Sequence, residues 1–244
     1  MTHRYFIYLS FDGTRYHGWQ VQPNGESVQA VLQRCLSTLL RANIEVTGAG
    51  RTDAGVHART MVAHFDMPSA IDATNLAYKL NRMLPRDMAV SRVEEVDATL
   101  HARFSARKRT YRYFLHTQRD PFLRHYSLEM GYALNFNAMN QAASYLTQVQ
   151  DFGAFCKTGA DVKTTLCEVS EARWFEMEEG RWCFVISANR FLRNMVRAIV
   201  GTLIEVGRGR MSIEQFCQVV QSGSRSNAGE SMPGKALFLW DIEY

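Results

Sequence analysis

No apolar run in this 244-residue chain approaches the ~18 to 20 residues that span a bilayer, so a membrane-embedded protein is not expected. The first residues, Met1-Thr2-His3-Arg4-Tyr5-Phe6-Ile7-Tyr8, enter a strand-like alternation at once, without the layout of a signal peptide. Cysteine is sparse: five residues, at 35, 156, 167, 183 and 217, with no pair at C-x-x-C spacing. An odd, scattered set without a secretory leader predicts free thiols in a reducing cytoplasm. The histidines form no H-x-x-x-H pair, which argues against a zinc site. Charge of one sign is not in great excess either: the net is +4 and the pI near 8.8, a mild lean toward polyanionic partners. The distribution of charge says more than the total. A nucleophile elbow and plausible His–Ser or His–Cys spacings are lacking, which disfavours a small-molecule hydrolase. An RNP-type K/R-G-F/Y-G/A-F-V-x-F/Y run is also missing, which disfavours a purely RNA-binding module built on exposed sheet aromatics. Asp151-Phe152-Gly153 is a chance match to a kinase tripeptide, because no Gly-rich phosphate loop or strand lysine accompanies it.

What is present reads as an ordinary globular chain, 46% hydrophobic and 21% charged, long enough for one large domain or two small ones sharing a core. Residues 4–11 alternate as a strand. Ser27 is a good N-cap, and Val28, Val31, Leu32, Cys35, Leu36, Leu39 and Leu40 share one face of a helix. Asp72 can cap a second helix through Leu84 that Pro85 stops, with Asn75, Lys79, Asn81 and Arg82 on a solvated face. Residues 89–96 are a further strand. This short alternation predicts an α+β fold with helices on one face of a largely antiparallel sheet. A second αβ half begins near residue 105, giving expected domains of 1–104 and 105–244. In that half we expect a helix over Asn137–Gln148, strands at 168–178 and 182–188, and a closing strand from Ala236 to Tyr244.

The chain is organised around Gly48-Ala49-Gly50-Arg51-Thr52-Asp53-Ala54-Gly55-Val56-His57. Three glycines lie within these ten residues, between β-prone segments at 44–47 and 60–65. Small residues let the backbone turn sharply or admit a ligand closely. Asp53 then stands on a tight loop with Arg51 two residues before it. In such a loop Asp either accepts backbone N–H bonds, as turn Asp often does, or offers a carboxylate to attack or deprotonate a substrate.

The most basic stretch runs from Leu100 to Phe114: six of its fifteen residues are Arg, Lys or His, interleaved with four aromatics. Guanidiniums hold phosphates bidentately and aromatic rings stack on unpaired bases. Farther on, the pattern at 188–203 predicts a helix with Phe191, Leu192, Met195, Ile199 and Leu203 on one face and Arg190, Arg193 and Arg197 on the other, closed by Gly207. Arg197 is crowded by Val196, Ala198, Ile199 and Val200, and a guanidinium in apolar surroundings calls for a carboxylate.

Gly50-Arg51-Thr52-Asp53-Ala54-Gly55-Val56-His57-Ala58 resembles the central signature of the tRNA pseudouridine synthase A family. The resemblance extends from residue 4 to residue 244, with the motifs in family order. Phe11-Asp12-Gly13-Thr14 before Gly18-Trp19-Gln20 is similar to the family's first motif, with Phe11 in place of Tyr. Leu100-His101-Ala102-Arg103-Phe104 resembles its RNA-contacting segment, with Leu100 as the departure from Phe. Lys163-Thr164-Thr165-Leu166-Cys167 aligns with a second tRNA-contacting stretch.

The resemblance implies the pseudouridine synthase fold, two ferredoxin-like halves around a central, mainly antiparallel sheet flanked by helices. It implies isomerisation of uridine to pseudouridine in the anticodon stem-loop of tRNA, at family positions 38, 39 and 40. No cofactor is implied, and the family habit is a homodimer with a composite tRNA cleft. It makes Asp53 the catalytic carboxylate, adding to C1′ or taking the C2′ proton. Arg51 would fill the space left by a flipped base, Tyr111 would contact the target base, and Arg197 would stand against the catalytic Asp.

Overall fold

The computed structural model describes residues 2–160 and 162–244. In chain order the strands and helices are β1 (His3–Phe11), α1 (Val28–Leu40), β2 (Thr47–Gly48), β3 (His57–Met67), α2 (Ala73–Met83), β4 (Met88–Val96), β5 (Lys108–His116), β6 (Leu128–Glu129), α3 (Phe136–Tyr145), β7 (Val169–Glu178), β8 (Arg181–Ala188), α4 (Met195–Gly207), α5 (Ile213–Ser222) and β9 (Leu237–Glu243). This is the mainly antiparallel α+β arrangement expected from the alternation of patterns. The chain divides into two compact units, one running to Arg107 and including Phe238–Tyr244, the other Lys108–Leu237.

In the first unit β1 is central, antiparallel to β3 on one side and to β4 on the other. Its residues Tyr5, Ile7 and Leu9 are almost wholly buried, as is Phe6 from the other side of the strand. Burial on both faces explains why β1 is apolar along most of its length. Ser27 caps α1 by accepting from Ala30 N–H at 3.2 Å, and the expected stripe of Val28, Val31, Leu32, Cys35 and Leu36 is buried. Asp72 caps α2 through Asn75 N–H at 2.9 Å. One polar residue of α2 is more than a solvated face: Asn81 exchanges two hydrogen bonds with the Val90 backbone, 2.7 and 2.8 Å, and so fastens the helix to β4.

The closing strand β9 runs parallel to β3, pairing His57 with Phe238 and Ala58 with Leu239. A division near residue 105 places this segment in the second half; its pairing carries residues 238–244 into the first unit.

In the second unit β8 is flanked by β5 and β7, both antiparallel to it. α3 begins at Phe136 because the Asn135 side chain accepts from Ala138 N–H at 3.0 Å. α4 is the core helix, with eleven of its thirteen residues buried. It begins later than the sequence pattern predicts. Asn194 has a left-handed backbone, φ 67°, and the Arg193 carbonyl accepts from Lys157 N–H at 3.1 Å. Residues 189–194 therefore form a connecting loop, and Arg190 and Arg193 do not line a helical stripe with Arg197.

α5 has no counterpart in the sequence reading. Its signals were there: a capping box in which Ser212 Oγ accepts from Gln215 N–H and Gln215 Oε1 accepts from Ser212 N–H, followed by buried Phe216, Val219 and Val220 at helical spacing.

Candidate active site and nucleic-acid interface

The Asp53 loop is built by clamping it against residues 13–19. β2 pairs Thr47 with His64 and Gly48 with Ala63, and Ala49 N–H continues onto Val62 O at 2.7 Å. The chain then leaves β3 and is held by another segment: Trp19 N–H donates to Thr52 O at 3.3 Å and Gly55 N–H to Tyr16 O at 3.3 Å. A turn closes at Val56 N–H to Asp53 O, 3.2 Å, around Gly55 at φ 75°. Gly48 is required by a close approach, since a Cβ there would lie 2.4 Å from the buried Trp19 indole nitrogen. Small residues therefore do two jobs here: Gly55 allows the turn, and Gly48 lets the Trp19 indole pack directly on the backbone.

His57 ends the loop and starts β3. Its ring is buried and stacks on Phe238, centroids 4.5 Å apart. Nδ1 lies 3.0 Å from both Gly13 N and Asp12 Oδ1. The Gly13 amide can only donate, so Nδ1 accepts from it. The same Asp12 oxygen also accepts from Thr14 N–H at 2.9 Å and Thr14 Oγ1 at 2.6 Å. His57 is thus a structural pin for the loop. At the outer face of the loop Arg51 is exposed, and a Cβ on Gly50 would meet nothing within 4 Å among the described residues.

The basic-aromatic stretch splits into parts with different roles. Leu100 and His101 are half-buried, Ala102 is fully buried, and Arg103 and Phe104 project outward, Phe104 with 76% of its surface exposed. His101 Nδ1 accepts from the N–H groups of Arg103 and Phe104, 3.0 and 3.3 Å away, and its ring lies against Phe104 at 4.4 Å. The His101 pKa is lowered, first by burial and then by Arg4 and Arg103, in keeping with an unprotonated acceptor nitrogen.

In the second unit Tyr111 lies on β5 opposite Ile186, half-buried, its ring edge-on to Phe191 at 5.0 Å and 86°. Tyr113, two residues on, points into the core; burial pushes its hydroxyl pKa up, with Arg197 opposing. Arg197 Nε donates to Met232 O at 2.5 Å, and Met232 N–H returns a bond to Arg197 O at 3.1 Å. A Cβ on Gly201 would collide with Glu230 O at 1.7 Å. The α4 stripe of Arg197 and Gly201 is therefore covered by residues 230–232 and is not a solvated face. Arg190, displaced from that helix, donates to the carbonyls of Thr164 and Leu166, 3.3 and 3.4 Å away. Lys163 and Thr164 are exposed, Thr165 is half-buried with its carbonyl accepting from Phe152 N–H at 3.1 Å, and Leu166 is half exposed. Cys167 points inward, burial raising its thiol to about 11, so its side chain is part of the core.

Among the described residues no group of three His, Cys, Asp or Glu is arranged to hold a metal ion, and no helix is long and apolar enough to cross a membrane.

These features coincide with a known family. A family model described as tRNA pseudouridine synthase matches residues 7–105 and 142–244. The matched segments take in Arg51, Asp53, the 100–104 and 163–167 stretches and Arg197, whereas Tyr111 lies between them. Similar proteins include the tRNA pseudouridine synthase A of Bacteroides thetaiotaomicron, 54% identical over 243 residues that make up 99% of this chain and 90% of the relative. That of Bacteroides fragilis is 52% identical over 242 residues, 99% of this chain and 96% of the relative. That of Bacillus subtilis is 40% identical over 240 residues, 97% of each chain. The chain belongs to the tRNA pseudouridine synthase family, as its central loop led us to expect.

Proposed function

We propose that this protein is an isomerase that converts uridine to pseudouridine in the anticodon stem-loop of tRNA, at positions 38, 39 and 40, with Asp53 as the catalytic carboxylate. The observation that carries the reading is the clamped loop. An acidic side chain is presented on a backbone pinned by Trp19, Tyr16 and the Gly13–His57 bond, beside an exposed arginine. A negative charge has no evident use in an RNA-binding surface unless it does chemistry.

The reaction breaks the N1–C1′ bond, with its electron pair passing to the uracil ring. The ring turns, C5 bonds to C1′, and the C5 proton leaves as N1 gains one. The ribose develops cationic character like that in glycoside hydrolysis, where a carboxylate attacks or stabilises the anomeric carbon. Asp53 serves in that way by adding to C1′ and departing when C5 attacks, or else by taking the C2′ proton to give a glycal. Deuterium at C2′ separates the two, because only the second breaks the C2′–H bond. No redox change or phosphoryl transfer occurs, so no cofactor is assigned.

Stem uridines are paired and must be flipped out at a cost of a few kcal/mol. Arg51 is assigned to the space left behind, and Tyr111 to stacking on the flipped ring and to removal of the C5 proton. Arg197 is given the family's part of keeping the catalytic carboxylate ionised. Residues 100–104 and 163–167 are assigned to the tRNA backbone and unpaired bases. The working form we propose is a cytoplasmic homodimer.

Carbodiimide mapping of pseudouridine in unmodified tRNAs incubated with the protein tests this reading. Conversion confined to positions 38, 39 and 40 is expected. Tight tRNA binding without conversion would contradict it and leave a binding protein.

A further inference from the structure

We propose that His64 and Tyr244 are positioning residues for tRNA binding, gripping Ala102 by its N–H and its carbonyl so that Arg103 and Phe104 are presented in a fixed geometry. The inference rests on the reading of residues 100–104 as a tRNA-contacting segment.

The Ala102 N–H donates to His64 Nδ1 at 3.2 Å, and the Tyr244 hydroxyl donates to Ala102 O at 2.6 Å. Both amide groups of one fully buried residue are thus taken by side chains from outside the loop, one on β3 and one just after β9. The neighbouring groups are also held. Arg4 Nη1 donates to Leu100 O at 2.9 Å, and His101 and Ser105 bond each other through His101 N–H to Ser105 Oγ and Ser105 N–H to His101 O, both 2.9 Å. The Phe6 ring braces both gripping side chains, 5.1 Å from Tyr244 and 6.4 Å from His64 by centroids.

The grip requires an unprotonated Nδ1 on His64. Burial, then the charges of Arg4 and His101, lower its pKa to about 4, so the acceptor persists at neutral pH. The consequence is preorganisation. A loop ordered before encounter does not lose its backbone freedom on binding, and that loss is a principal cost of association. An arginine and a 76% exposed phenylalanine on a loose loop would bind RNA more weakly for the same contacts.

Binding titrations with unmodified tRNA test the grip. Tyr244→Phe removes one hydroxyl and keeps the ring, and it is expected to raise Kd roughly threefold to tenfold, the effect of losing one buried hydrogen bond. Combined with Arg103→Ala, the loss should be smaller than the product of the two single effects, because both act through the same contact. A merely structural role for Tyr244 would give the full product, and that result, or an unchanged Kd, overturns the proposal. At His64, Asn offers an acceptor oxygen in place of Nδ1 and should retain affinity that Leu loses; equal affinities overturn the part given to His64. If Arg103→Ala alone leaves binding untouched, the tRNA-contact reading of the loop has failed. If Arg103→Ala weakens binding and Tyr244→Phe does not, the grip alone has failed.

Discussion

Gly18 and Thr52 touch backbone to backbone: a Cβ on Gly18 would lie 2.2 Å from the Thr52 carbonyl oxygen, and Gly18 itself has φ +84°. The next residue, Trp19, donates its N–H to that oxygen at 3.3 Å. The residue immediately before Asp53 is therefore set by a contact that only glycine permits. Gly18→Ala is expected to move the loop and to lower the rate of modification roughly ten- to a hundredfold, as small misplacements of a catalytic group do, with the left-handed backbone adding about 1–2 kcal/mol of destabilisation. Single-turnover rates beside thermal melting check this. A wild-type rate would mean that the contact does not position Asp53.

Arg103 and Phe104 project from a loop that is otherwise tied down. Arg103→Ala should weaken tRNA binding and reduce the slope of log K against log salt by about one. Phe104→Ala should cost about 1–3 kcal/mol if the ring stacks on a base, with little change in that slope. Titrations at several salt concentrations separate the two effects.

Arg51 is exposed on the catalytic loop. If it fills the place of a flipped base, Arg51→Ala will slow modification more than it weakens binding. Equal losses in rate and affinity would reduce it to a phosphate clamp.

His64 makes stability depend on pH with a definite sign. Its folded pKa, about 4, lies below the ordinary 6.5, so between those values the unfolded chain takes up a proton that the folded chain refuses. Stability is complete above about pH 6.5 and falls toward pH 4. The groups facing it are Arg4 and His101, which oppose its protonation, and Asp66, which favours it. His101 and His116 are also lowered by burial and act in the same direction. In urea unfolding the wild type should lose more stability than His64→Asn between pH 7 and about pH 4.5. Parallel losses would show that His64 is not the group responsible.

Much of this architecture was legible in the chain. The caps at Ser27 and Asp72, the alternation of β1 and the buried stripe of α1 follow from local patterns, and the glycine-rich loop announced itself by composition. What escaped depends on distant partners. The start of α4 is fixed by a left-handed Asn194 and a bond from Lys157 to the Arg193 carbonyl, neither of which leaves a trace in periodicity, so the pattern ran on through Arg190. α5 lies outside the expected elements although its capping box at Ser212 and Gln215 is local. The parallel pairing of β9 with His57 and Ala58 joins residues about 180 positions apart. The grip on Ala102 likewise joins residues 38 and 142 positions apart: His64 reads as one more residue of a half-buried strand, and Tyr244 as the last residue of a closing one.

The most direct test of the central claim is tritium release from unmodified tRNA carrying [5-³H]uridine, with wild type and Asp53→Asn in parallel and tRNA binding measured for both. The account predicts release by the wild type, none by Asp53→Asn, and similar affinities, because one carboxylate does the chemistry while many cations hold the phosphates. Release by Asp53→Asn at the wild-type rate would contradict it and remove Asp53 as the catalytic group.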